Sequence, residues 1–274
     1  MGSPARLKVP TAFTIAGSDP SGGAGVQADL KTFLACGVYG MSAITALTAQ
    51  NTQGVSAVQG VPPWFVREQM REVCEDIPPL AAKTGMLASR SIVQVVSKAV
   101  TDFGITNLVV DPVFISKSGH ALLSEDSLDA LKTRLLPLCT VVTPNLHEAA
   151  ALSGTDVGNL DQMRKAARVL HDMGPSYVLV KGGHLSEAAT DVLFDGESYV
   201  EISSERIDTG NTHGTGCTLS AAIAAYLAKG VSVEESVRSA KAYITGALRY
   251  GLDLGSGHGP TNHGWNSTMR SSVS

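Results

Sequence analysis

The sequence carries no excess of basic charge: 21 Lys and Arg stand against 25 Asp and Glu, a formal net charge of −4. That balance gives no electrostatic reason to expect a nucleic-acid or anionic-membrane partner. Cysteine is sparse. Cys36, Cys74, Cys139 and Cys217 lie far apart, with neither the clustered spacing of a zinc site nor a secreted disulfide framework, so a reducing, cytoplasmic setting is expected. No apolar run is long and uninterrupted enough to span a bilayer, and the opening MGSPARLKVP has no secretion-signal core. A Pro/Ser-rich linker, a fixed-length repeat and a low-complexity tract within the core are all missing.

What is there is a chain of 274 residues, 43% hydrophobic and 17% charged. This composition excludes a disordered chain and allows a sizeable core. One domain over 11–265 is expected, with flexible segments at 1–10 and at the polar tail 266–274.

Apolar runs at 12–16, 42–48, 81–87, 108–110, 140–142 and 177–180 read as strands. Between them, 26–36, 63–77, 91–103, 127–136 and 160–173 have helical spacing. Alternation of this kind predicts an α/β fold with a mostly parallel, doubly wound central sheet. The segments 192–194 and 199–202, separated by Asp195-Gly196, read as a hairpin and hence an antiparallel edge. Two late helices are expected at 218–229 and 233–250.

The most informative short stretch is NTHGTGC at 211–217, directly before an alanine-rich helix. Gly214 and Gly216 allow close backbone approach, and the amides of a helix start favour an anion such as a phosphoryl group. A plain glycine-rich helix entry explains the same local pattern.

The order of motifs goes further. TIAGSDPSGGAGVQADLKTF, ITALTAQNT, KTGML, DPVFISKSG, TPNLHEAAAL, VLVKGGH, NTHGTGCTLSAAIA and GHGPTNH follow one another along nearly the whole chain. In this the sequence resembles the hydroxymethylpyrimidine and phosphomethylpyrimidine kinases of the ribokinase superfamily. The resemblance implies a ribokinase-like three-layer fold with helices on both faces of the sheet. It implies ATP and Mg2+ as cofactors, and phosphoryl transfer to a pyrimidine hydroxymethyl group and then to the monophosphate. A homodimer is also expected from it.

Residue by residue, the resemblance makes Gln50 the polar reader of the pyrimidine edge and Gly17 a point of close approach. Asp29 would meet ring or exocyclic nitrogens, and Met86 and Val113 would form an apolar wall. Core packing or a solvated face accounts for these residues equally simply. The amides of Gly214, Thr215, Gly216 and Cys217 would form an anion hole, with Lys181 supplying positive charge near the phosphates. Asn145 and Glu148 match an N-x-x-E pattern associated with the metal-bound phosphates, with Glu148 acting through water and Asp111 helping at a strand end. The same spacing is a helix capping box, and both roles can coexist.

Cys217 stands where the broader superfamily commonly places an aspartate base. Its thiolate, favoured by helix amides and nearby cations, is a candidate base, with a small packing residue as the alternative. Segments 21–25 and 117–119 are candidate lids; Lys117 reads first as a solvated loop lysine and second as a phosphate contact. His213 and His258 read as loop supports, and His120 and His147 carry no catalytic role. A pyridoxal kinase is the nearest alternative, a sugar or nucleoside kinase a more distant one, and a ligand-binding regulator without catalysis the nonenzymatic one.

Overall fold

The computed structural model describes residues 8–113, 125–183 and 189–267. Its nine-stranded sheet has the order β3-β2-β1-β4-β5-β6-β7-β8-β9. The strands are β1 (Thr11–Ser18), β2 (Tyr39–Gln50), β3 (Val55–Gly60), β4 (Ala81–Thr84), β5 (Leu108–Val110), β6 (Val141–Val142), β7 (Tyr177–Val180), β8 (Ala189–Phe194) and β9 (Tyr199–Ser204). Strands β2, β1, β4, β5, β6 and β7 run parallel, whereas β3 pairs antiparallel to β2 at one edge and β8 runs antiparallel between β7 and β9 at the other. The expected hairpin therefore forms. β3 is an addition that sequence periodicity does not signal, because its residues are almost all exposed and it is held by backbone pairing to β2.

The helices are α1 (Gly25–Ala35), α2 (Pro63–Asp76), α3 (Arg90–Asp102), α4 (Glu125–Ala130), α5 (Leu146–Ser153), α6 (Leu160–His171), α7 (Thr215–Ala228) and α8 (Val233–Arg249). The helix expected over 127–136 instead loosens: α4 passes into a π turn at Leu131–Leu135 and a 3-10 turn at Leu136–Leu138, where Pro137 cannot donate to a continuing helix.

Strand alternation sorts the core into two layers. Phe13, Ile15, Ala82, Leu108, Val110, Val142, Val178 and Val180 point to the face covered by α2, α3, α5 and α6. Ala12, Ala81, Val109, Val141 and Leu179 point to the face covered by α1, α7 and α8. This period-two split buries both faces of the sheet, as a parallel sheet requires. The result is the expected mostly parallel sheet between two helical layers. The chain reverses its direction of travel between β1 and β4, and this opens a crevice at the carboxyl ends of the strands.

Candidate active site

The residues after β1, β4, β5, β6 and β7 converge on the first turn of α7. Gly214, at φ 79°, is the N-cap of α7, so the helix begins at Thr215, three residues before the expected start. A Cβ at Gly214 would lie 1.8 Å from the Gly23 carbonyl oxygen, so only glycine allows these two loops to touch. At Gly216, a Cβ would lie 3.4 Å from Lys181 Nζ and 3.5 Å from Asp111 Oδ2. The anion loop and the charged residues are thus direct neighbours.

Lys181 Nζ donates to Asp111 Oδ1 at 3.0 Å and lies 4.0 Å from Glu148 Oε2. Asp111 also accepts from Thr143 Oγ1 at 3.2 Å and Ser220 Oγ at 3.3 Å. Burial opposes its charge, but Lys181 and Lys83 hold the carboxyl below the ordinary aspartate range. Glu148 moves the other way. Burial pushes it up to about 7, against the pull of Lys181 and with the Asp111 charge adding to the rise. Lys181 stays cationic because Asp111 and Glu148 outweigh its burial.

Asn145 and Glu148 form a complete capping box at the start of α5: Glu148 N donates to Asn145 Oδ1 at 2.9 Å, and Asn145 N donates to Glu148 Oε2 at 2.8 Å. The structural role is therefore present, and it also fixes the Glu148 carboxylate beside Lys181. Two oxygen-donor carboxylates suit a hard cation such as magnesium held through water. Among the described residues no group of three or more His, Cys, Asp or Glu forms a closed metal cluster. The donor set accordingly fits an ion shared with phosphate and water rather than a cage built by protein alone.

The acceptor-side residues lie on the other flank of the crevice. A Cβ at Gly17 would come 3.1 Å from Met86 Sδ, so these two residues adjoin. Met86 and Val113 are half-buried. Gln50 Oε1 accepts from Thr48 Oγ1 at 3.2 Å, its amide nitrogen faces His213 Nε2 at 3.5 Å, and it borders an open recess of about 610 Å3 with Pro20 and Asn51.

Asp29 departs from its expected role, and Cys217 meets opposing influences on its ionisation. Asp29 is fully buried and points into the protein: both oxygens accept from Lys83 Nζ, at 3.0 and 2.9 Å, and Oδ2 also accepts from Thr14 Oγ1 at 2.6 Å. Its carboxylate neutralises a buried lysine and is already engaged, which removes it from direct reading of a ring nitrogen. Burial raises Asp29 against the pull of Lys83 and Thr14. Cys217 sits at the start of α7, where burial and charge pull its thiol in opposite directions. Burial pushes its thiol up to about 11; Lys83 draws it down, but the Asp29 and Asp111 charges oppose that. Burial thus opposes the thiolate that the helix-start position favours.

His213 supports its loop as expected, through a 2.8 Å contact with Asp19 Oδ2. Lys117, Gly119 and His120 lie outside the described residues. The sequence reading misses Asp19 and Lys83, although both sit inside quoted motifs. A charged residue in the β4 run AAKT signals a buried partner, but its partner stands 54 residues earlier on α1. Also unforeseen is a recess of about 460 Å3 between the end of β9 and the last turns of α8, lined by Ser203, Glu205, Lys241, Thr245, Arg249 and Trp265.

Among known proteins, the family profile for phosphomethylpyrimidine kinase matches residues 19–262. The hydroxymethylpyrimidine/phosphomethylpyrimidine kinase of Streptomyces coelicolor is 50% identical over 258 residues, covering 93% of this chain and 95% of that protein. The thiamine biosynthesis bifunctional protein of Geobacter sulfurreducens is 49% identical over 92% of this chain, which spans only 51% of that longer relative. Among solved structures, an ADP complex of Bacillus subtilis pyridoxal kinase superposes with a TM-score of 0.88 at 43% identity, covering 93% of this chain and 98% of the other.

Proposed function

The chain belongs to the phosphomethylpyrimidine kinase family, and from that premise we propose that it transfers a phosphoryl group from ATP to the hydroxymethyl oxygen of 4-amino-5-hydroxymethyl-2-methylpyrimidine. A second transfer to the monophosphate follows, in thiamine synthesis or salvage. The observation that carries this reading is the junction of the anion loop with Lys181, Asp111 and Glu148, on the same crevice as Gly17, Gln50 and Met86.

In this mechanism the amides at 214–217 and the start of α7 bind the transferring phosphoryl group, where charge develops. Lys181, oriented by Asp111, neutralises its oxygens. Glu148 and Asp111 would hold magnesium, Glu148 through water, and when bound the ion supplies further charge neutralisation. Gln50 reads the pyrimidine edge, while Met86 and Val113 exclude water from the acceptor. The recess beside α8 has the size for the nucleoside, with a largely apolar wall that includes Trp265 and a few polar groups such as Ser203 and Thr245. Cys217 stands where it could take the hydroxyl proton. Since its thiol is pushed up to about 11, a base role implies a rate that still rises above pH 8.

A pyridoxal kinase is the second reading, favoured by the superposition on the Bacillus subtilis enzyme. Intact Lys181, Glu148 and glycine loop speak against a ligand-binding regulator without catalysis. Among the described residues no helix is long and apolar enough to cross a membrane, and all four cysteines are free; we place the protein in the cytoplasm. Exposed Leu47, Val58, Trp64 and Phe65, on β2, β3 and the start of α2, support a homodimer. Light scattering coupled to size exclusion tests that assembly.

The deciding experiment is an ATP/Mg2+ turnover assay offering hydroxymethylpyrimidine, its monophosphate and pyridoxine, with products resolved by mass spectrometry. The expected products are the pyrimidine monophosphate and then the diphosphate. Selective phosphorylation of pyridoxine would move the assignment to the second reading, and no product from any acceptor would overturn both.

A further inference from the structure

One buried carboxylate fastens together the two loops that would receive different substrates. Asp19, 2% exposed, accepts four hydrogen bonds. Its Oδ1 takes Ser21 N at 2.9 Å and Ser21 Oγ at 2.7 Å, and its Oδ2 takes Ala24 N and His213 Nε2, each at 2.8 Å. The first three shape the loop between β1 and α1. The fourth crosses 194 residues of sequence to the anion loop.

His213 is held through its backbone as well as its ring. Its backbone N donates to Gly259 O at 3.0 Å, and its carbonyl accepts from Thr261 N at 3.3 Å. A Cβ on Gly23 would sit 2.3 Å from His213 Cδ2. With Nε2–H given to Asp19, the Gln50 amide nitrogen 3.5 Å away keeps its hydrogens for a ligand. A single ring therefore borders the acceptor-side amide, the loop after β1 and the N-cap residue of α7.

We propose that Asp19 and His213 are positioning residues that couple the acceptor pocket to the phosphate loop, so that an aromatic alcohol seated against Gln50 tightens nucleotide binding at 214–217. This rests on the kinase reading. Its consequence is mutual tightening of the two ligands: the anion loop reaches its final shape when the acceptor is in place, which disfavours transfer to water.

The test is calorimetric titration of the full chain with ADP and Mg2+, without and with saturating hydroxymethylpyrimidine. The variants are Asp19→Asn and His213→Asn, with thermal unfolding to confirm that each is folded. In the parent protein the pyrimidine should tighten ADP by about fivefold or more, the lower range of allosteric coupling. In each variant that enhancement should vanish, and the double variant should lose no more than either single one, since both cut the same link. Steady-state assays should show the KM for ATP becoming insensitive to acceptor concentration. Parent-like enhancement in folded variants, or none in a parent that binds both ligands, overturns the coupling and leaves the kinase reading standing. If one variant fails to fold, the other decides. A parent that binds neither ADP nor the pyrimidine overturns both.

Discussion

Lys181 Nζ lies 3.0 Å from Asp111 Oδ1 and 4.0 Å from Glu148 Oε2, so one ammonium serves two buried carboxylates at the start of α7. Lys181→Met should lower kcat by about 10²–10³, the usual loss for one electrostatic donor at a developing charge. The same change leaves Asp111 and Glu148 without their counter-charge, so the melting temperature should fall too. Turnover assays and thermal scans check both, and a parent-like kcat would remove Lys181 from the reaction.

Cys217 should react sluggishly with iodoacetamide near pH 7 and faster toward pH 10, because burial pushes its thiol up to about 11. Mass spectrometry of the alkylated native protein gives that profile. Cys217→Ala should cost about 10²–10⁴ in kcat if the sulfur takes the substrate proton. Near-normal phosphoryl transfer would assign Cys217 to packing and leave the kinase activity intact.

Asp29→Asn should be a stability variant before it is a specificity variant. It strips the counter-charge from fully buried Lys83, a loss of about 3–5 kcal/mol in a denaturant titration. The paired change Asp29→Leu with Lys83→Met removes both charges and should recover much of that loss. A large rise in the pyrimidine KM with unchanged stability would instead return Asp29 to the substrate.

Stability should respond to pH through two groups of opposite sign. Glu148 is raised from 4.5 to about 7 by burial, so the folded protein binds the extra proton, and its contribution is lost as pH rises through that window. His263, lowered from 6.5 to about 4 by burial with Lys31 and His213 adding, contributes above 6.5 and is lost as pH falls toward 4. Glu148→Gln should therefore raise the melting temperature more at pH 8 than at pH 5, and His263→Asn should flatten the acid side. Melting curves from pH 4 to 9 on both variants test the signs.

Much of this architecture is legible because a doubly covered parallel sheet writes short apolar strands between amphipathic helices. Leu108–Val110 and Tyr177–Val180 match their expected bounds for that reason. The exceptions have local physical causes. β3 buries almost nothing, so periodicity gives no sign of it. The early start of α7 comes from a glycine in the left-handed region, a conformation rather than a pattern. At the site, NTHGTGC and N-x-x-E carry their positions in the sequence. The burial that reverses the expected Cys217 shift, and the Lys83 that occupies Asp29, come from residues distant along the chain. Motif spacing does not encode those long-range neighbours.

The chain order of the two core layers bears on synthesis. Ala12, Ala81, Val109, Val141 and Leu179 present one face of the sheet, yet much of its cover comes from α7 and α8, the last two helices made. A chain emerging from the ribosome thus carries most of its sheet with one side incompletely sheathed until about residue 250 appears. Loss of the final helices would spare every strand and still leave a sticky, catalytically empty sheet. Chaperone dependence and premature-stop toxicity should therefore concentrate in that closing stretch of translation.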